Sequence, residues 1–253
     1  MTIIDKYDEF LELQARYPRS ISNDFILPSD IKKRFGLGLI SAYADDAALY
    51  MLERREGFYK LHFRLADASA EAPARDGTLA AYLIYREGRY PAAAADWLVR
   101  QGFAPAHTLV RHTSGHIMGE LSEEGIGTAP AEEVYAMFGE YFSAAEADMP
   151  DRAMFDGRDA YCARCADGRP LGILYDMGPT RLVAVSAGSR GQGIGRRLYL
   201  AYAAAKIREN KNQVFREWIG PDNRASIAMY RSLGFVPDNT ITDCFIRGSQ
   251  WTR

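Results

Sequence analysis

The stretch Val183–Leu200, VAVSAGSRGQGIGRRLYL, constrains this chain more than any other. It opens as a short β-branched apolar run, which reads as a strand. It then crosses a segment with glycines at 188, 191, 193 and 195 and arginines at 190, 196 and 197, and takes on a helical pattern. Glycines between a strand and a helix let successive backbone N–H groups converge on one point. The helix adds the positive end of its dipole. Such a segment is suited to an anion, within an α/β arrangement.

Three phosphate-binding patterns compete for it. A Walker loop ends in Gly-Lys-Ser/Thr, whereas this one ends Gly195-Arg196-Arg197. A dinucleotide fingerprint needs G-x-G-x-x-G and an acidic residue about 20 positions further on. The spacing here is Gly191-x-Gly193-x-Gly195, and the acid is not evident. The third pattern, Arg/Gln-x-x-Gly-x-Gly/Ala after a strand, is met by Arg190-Gly191-Gln192-Gly193-Ile194-Gly195. A second motif, NRASIAMYRSLGF at 223–235, begins 28 residues after Gly195, with a helix and a strand between. It satisfies Asn-x-x-Ala/Ser-x-x-x-Tyr-x-x-x-Gly-Phe at Asn223, Ser226, Tyr230, Gly234 and Phe235. In this order and spacing the two motifs resemble the acetyl-CoA loop and second signature of the GNAT superfamily of N-acetyltransferases, over about residues 122–253.

Periodicity alone gives the second region as β-α-β-β-β-α-β-α-β. Its first helix is expected over 131–147, from Val134, Met137, Phe138, Tyr141 and Phe142 on one face. A hairpin over 159–175 turns at Asp167-Gly168. The helix after the glycine loop runs to about Glu209, a strand covers 213–220, and an Asp/Asn-capped helix starts at 222. This order agrees with the fold that the resemblance implies, a mixed, mostly antiparallel sheet flanked by helices. The chain is therefore expected to be α/β (α+β), with a GNAT-like domain at 119–253 and a smaller α/β region at 1–118.

In the first region a helix is expected over Tyr7–Tyr17 and a Pro/Ser/Asp-rich loop near 18–31. A hairpin at 49–65 turns at Glu56-Gly57, and a flexible loop follows at 66–77. A strand from Thr78 and a helix over 92–101, stopped by Gly102, complete it. Shifted by 132 residues, Gly88 meets Gly220, Gly102-Phe103 meets Gly234-Phe235, and Pro105 meets Pro237. The first region is thus expected to be either a degenerate GNAT-like copy or an unrelated α/β cap.

Composition narrows the partners. A net charge of −2 over 253 residues gives no global pull toward nucleic acid or an anionic membrane. The N-terminus is charged throughout, and the longest weakly polar stretch, 198–205, is too short to span a bilayer. A soluble, cytoplasmic protein, monomeric or homodimeric, is expected. Cys162 and Cys165 fall on opposite faces of a strand, which suits neither a metal pair nor a redox disulfide. His112 and His116 flank Ser114-Gly115 and complete no ligand set, so no metal is expected.

The resemblance implies roles position by position. The strand through Val183 and Val185 would pair with the pantetheine arm and polarise the thioester carbonyl. The N–H groups of Arg190, Gly191, Gln192, Gly193, Ile194 and Gly195 would hold the pyrophosphate. Arg190 and at most one of Arg196 and Arg197 would supply charge, with Asn223 near the pantetheine or an ordered water and Ser226 among the cofactor-binding residues. Tyr230 matches the general acid that protonates the leaving thiolate. No acid stands on the fourth strand, where Arg181 lies; Glu217 and Asp176 are the nearby carboxylates, and Glu217 is the candidate base. The implied reaction is transfer of an acetyl group from acetyl-CoA to a primary amine, by direct attack in a ternary complex. A small-molecule acceptor is favoured over a peptide amine. The alternatives are a protein N-acetyltransferase, transfer of a longer acyl group, and an acyl-CoA sensor without turnover.

Overall fold

The computed structural model describes residues 2–4, 6–17, 21–23, 28–178, 180–210 and 212–248. Its elements are β1 (Thr2–Ile4), α1 (Tyr7–Gln14), β2 (Ile21–Ser22), α2 (Pro28–Gly36), β3 (Ile40–Ala44), β4 (Ala48–Arg54), β5 (Tyr59–Leu65), β6 (Leu79–Arg86), α3 (Ala92–Arg100) and β7 (Ala104–Ser114). There follow β8 (Ile126–Thr128), α4 (Ala131–Tyr141), β9 (Ala160–Arg164), β10 (Pro170–Asp176), β11 (Arg181–Val185), α5 (Ile194–Glu209), β12 (Phe215–Ile219), α6 (Arg224–Ser232) and β13 (Val236–Arg247). The chain divides into two compact units, which are interleaved in sequence. One takes 1–108, 144–153 and 241–253; the other takes 109–143 and 154–240.

In the first unit the strands run in the order β1-β3-β4-β5-β6, with β2 also on β5. The pairs are antiparallel except β5–β6, which is parallel and joined at Tyr59↔Leu79 and Lys60↔Ala80. β4 is buried on both faces because each face has its own cover. Trp97 of α3 fills one side, 4.5 Å from the Phe63 ring, with its indole N–H donated to the Ala70 carbonyl at 2.7 Å. Phe10 of α1 and Ile31 of α2 close the other, over Leu49 and Met51. Of the Pro/Ser/Asp-rich loop expected near 18–31, residues 18–20 and 24–27 lie outside the described residues, and α2 begins within it at Pro28.

The second unit has a four-stranded antiparallel sheet, β11-β10-β9-β8. Apart from it, β12 pairs antiparallel with Val110–Ser114 of β7. Helix α5 packs Leu198, Tyr199 and Tyr202 into a core shared with Phe215, Tyr230 and Phe235. Gly172, beside a register shift in β10, lets that helix come close. A Cβ there would stand 2.9 Å from the Ala184 carbonyl oxygen and 3.0 Å from Ile194.

The order β-α-β-β-β-α-β-α-β is found, with one correction in its first helix. α4 ends at Tyr141, short of the expected 147, and Phe142 is extended at φ −137°, ψ 144°. The residues beyond it have other partners: 144–153 belong to the first unit, where Ala145 and Met149 are buried and the Ala145 carbonyl accepts the Tyr82 hydroxyl. The 132-residue offset is visible as one helix stop made twice. Gly102 (φ 82°) donates to Val99 and Phe103 to Leu98, while Gly234 (φ 90°) donates to Arg231 and Phe235 to Tyr230, all at 3.0 Å. Both are the left-handed glycine stop in which two N–H groups fold back on the last turn. Cys162 is buried in β9 and Cys165 stands at the following turn; all three cysteines are free. Among the described residues no helix is long and apolar enough to cross a membrane.

Candidate functional site

The glycine segment folds as its composition requires. After β11 a short 3-10 turn, Ala187–Ser189, closes with Ser189 N–H on the Ser186 carbonyl at 2.9 Å. Gly191 and Gly193 then take φ 75°, the left-handed region open to glycine without strain. Gly193 is the N-cap of α5, and the first helical hydrogen bond runs from Arg197 N–H to its carbonyl at 3.0 Å. The N–H groups of Ile194, Gly195 and Arg196 are thus first-turn donors that no helical carbonyl reaches. They lie at the positive end of a 16-residue helix. Gly191, Gln192 and Gly193 are exposed and Ile194 is buried.

The side chains around this cradle are partly engaged. Arg190 is exposed; its guanidinium lies 4.9 Å over the Tyr141 ring and its Nε donates to the Val185 carbonyl at 3.3 Å. Gln192 reaches back to the Gly188 carbonyl at 3.1 Å. Arg196 is half-buried and donates to the Met118 carbonyl at 3.3 Å, whereas Arg197 is exposed. Asn223 caps α6, its Oδ1 accepting the Ser226 N–H at 3.1 Å. The Asn-x-x-Ser spacing therefore has a structural meaning first: it starts the helix that carries Tyr230.

Val183 and Val185 project from the same face of β11 and lie beside Gly195. Among the described residues β11 is the outer strand of its sheet and β12 the outer strand of the other, so each leaves a row of N–H and C=O groups without a ladder partner. Among the described residues the hydrogen bonds between these strands come from Arg181. Its Nε donates to Glu217 Oε1 at 2.9 Å and its Nη2 to the Arg216 carbonyl. Its Nη1 donates to the Gly178 carbonyl at 2.8 Å. Glu217, 1 % exposed, also accepts the Tyr199 hydroxyl at 2.5 Å. Burial pushes the Glu217 carboxyl up to about 7 against the opposing pull of Arg181. Asp176 is held by Lys206 at 3.2 Å and lies 3.9 Å from Arg181.

Tyr230 stands next to this network. Its ring meets that of Tyr199 edge-on, centroids 5.2 Å apart, and Phe235 at the same distance. It is 6 % exposed, and among the described residues its hydroxyl makes no hydrogen bond. Burial first and the Glu217 charge second raise its pKa well above the usual phenol range, so it is a proton donor at neutral pH. The structure thus gathers the glycine loop, Val183, Val185, Tyr230 and Glu217 in one unit. Glu217 is buried, and its Oε1 already accepts two donors. Sequence reasoning missed the link from Arg181 to Glu217 and the part of Tyr199.

Residues 131–235 match the profile described as the acetyltransferase (GNAT) family. No curated protein matches the chain. Among solved structures, a GCN5-related N-acetyltransferase from Sphaerobacter thermophilus is similar at TM-score 0.53 and 15% identity, covering 89% of this chain and 88% of that one. A tandem GNAT protein from the clavulanic acid biosynthesis pathway is similar at TM-score 0.54 and 14% identity, covering 98% and 95%. A GNAT-family acetyltransferase from Colwellia psychrerythraea is similar at TM-score 0.52 and 13% identity, covering 98% and 100%. At such identities the likeness is one of fold. The segment 131–235 that matches the acetyltransferase (GNAT) family profile holds the glycine loop, both valines, Glu217 and Tyr230.

Proposed function

We propose that this protein transfers an acetyl group from acetyl-CoA to the primary amine of a small molecule, within a ternary complex. The observation that carries the reading is the conjunction of the left-handed Gly191 and Gly193, the unpaired first-turn donors of α5 and the free edge of β11. Backbone donors at a helix N-terminus suit a pyrophosphate. A bare strand edge suits the amides of a pantetheine arm, which can add to it as a further strand does. The outward N–H groups of Val183 and Val185 would then face the thioester carbonyl and stabilise the oxyanion as the amine nitrogen attacks. As the C–S bond breaks, Tyr230 is the donor that returns a proton to the thiolate. The proton given up by the amine passes to solvent, because Glu217 is enclosed.

The test is calorimetric titration of the whole protein with acetyl-CoA, beside Gly193→Asp. That substitution sets a carboxylate at the loop and a side chain in the left-handed region. Binding by the wild type and its loss in the variant is the expected result. An amine panel with thiol detection follows. Binding without turnover across peptide and small-molecule amines would replace the enzyme by an acyl-CoA-binding module. Absence of binding by the wild type would remove the cofactor reading.

A further inference from the structure

We propose that Arg181 is a positioning residue, a strut that fixes the separation of β11 and β12 and so the seat of the pantetheine arm, with Glu217 as its anchor and not as the base. The inference rests on the function proposed above and goes beyond it by assigning these two residues.

Two strand edges left without ladder bonds have nothing in their backbones to hold them at a set distance. Here one side chain does it. The Arg181 side chain is 7 % exposed and presents three nitrogens to three acceptors: the Glu217 carboxylate, the Arg216 carbonyl and the Gly178 carbonyl. Two acceptors are on β12 and the third is in the turn before β11, so the planar guanidinium is fixed in orientation as well as in place. Arg181, Val183 and Val185 alternate along β11 onto one face, so the strut stands at the head of the row that would lie along the thioester. Glu217 is held from the other side by the Tyr199 hydroxyl, and Tyr199 packs on Tyr230. The charges close locally, with Arg181 and Lys206 facing Asp176 and Glu217. An anchor must be enclosed and held by donors; a base must be open to the amine. Glu217 has the first set of properties.

The strut predicts a split between two ligands. CoA carries the pantetheine arm; adenosine 3′,5′-bisphosphate carries the nucleotide end without it. Wild type, Arg181→Met and Arg181→Lys are titrated calorimetrically with each, as full chains, with circular dichroism to check folding. Arg181→Met is expected to weaken CoA about tenfold and to leave the bisphosphate within about twofold, with Arg181→Lys between, because a lysine offers one point of attachment where arginine offers a fork. Unchanged CoA affinity, or equal loss for both ligands, overturns the strut. If Arg181→Met does not fold, Arg181→Lys carries the same comparison. A wild type that binds neither ligand overturns the cofactor reading and the strut with it. A wild type that binds both upholds that reading whatever the variants do.

Discussion

Replacing Gly193 by alanine adds a methyl group where nothing stands within 4 Å, so the whole cost is conformational. At φ 75° and ψ 6° the residue is in the left-handed region, which costs an L-residue roughly 1–2 kcal/mol. Gly191, also at φ 75° with open space around it, carries the same expectation. Gly195 is different in kind. It is helical, and a Cβ there would meet Met229 Sδ at 3.0 Å, Val183 Cγ1 at 3.6 Å and Val185 Cγ2 at 3.7 Å. The tight neighbour is a thioether on a flexible chain, which gives way easily. Alanine also gains up to about 1 kcal/mol of helix propensity. Gly195→Ala is therefore expected to lie within about 1 kcal/mol of wild type, while Gly191→Ala and Gly193→Ala each lose roughly 1–2 kcal/mol. Urea unfolding at constant m-value measures all three. The reasoning is refuted if Gly195→Ala costs more than about 2 kcal/mol while Gly193→Ala is neutral, since packing and not backbone conformation would then rule the loop.

Two further expectations follow from the buried network. Tyr230→Phe should retain CoA binding and slow acetyl transfer by about 10²–10⁴, measured as thiol release; an unaltered rate removes Tyr230 as the acid. Burial lifts Glu217 from 4.5 up to about 7, so the folded protein holds that proton more tightly than the unfolded chain does. The stability this gives is fully present below about pH 4.5 and is lost as pH rises through about 7, amounting to about 3 kcal/mol. Between about pH 5 and pH 8 the wild type should lose stability relative to Glu217→Gln in urea titrations, and parallel profiles would show that the carboxyl does not titrate in that range.

The parts of this molecule that were legible beforehand are those decided by near neighbours. The left-handed glycines, the Asn223 cap, the turns at Gly57 and Gly168 and the Gly-Phe helix stops each depend on a few consecutive residues. α4 was read too long because Tyr141 and Phe142 continue its apolar period, and nothing local says that Ala145 and Met149 are claimed elsewhere. β3, ISAYA, escaped because its small residues make a weak alternation, although the structure buries it in the pattern of a strand. At the site, Arg181 and Glu217 are 36 positions apart, and only the placement of two strands in separate sheets joins them. Glu217 read as a candidate base because it is a nearby carboxylate in the motif-bearing region; its enclosure is a property of the packed core.

The pairing of β12 with β7 bears on how this protein can be cut. A fragment beginning at residue 119 would contain both motifs yet lack Val110–Ser114, the stretch that bonds to Phe215–Ile219 along its full length. With β11 in another sheet, β12 would be stripped on both sides, a bare strand in solution that invites pairing with other chains. Expression of the motif-bearing part alone is therefore expected to yield aggregates unless the fragment begins upstream of Val110. Val110–Ser114 is, for the strand carrying Glu217, its only backbone partner among the described residues.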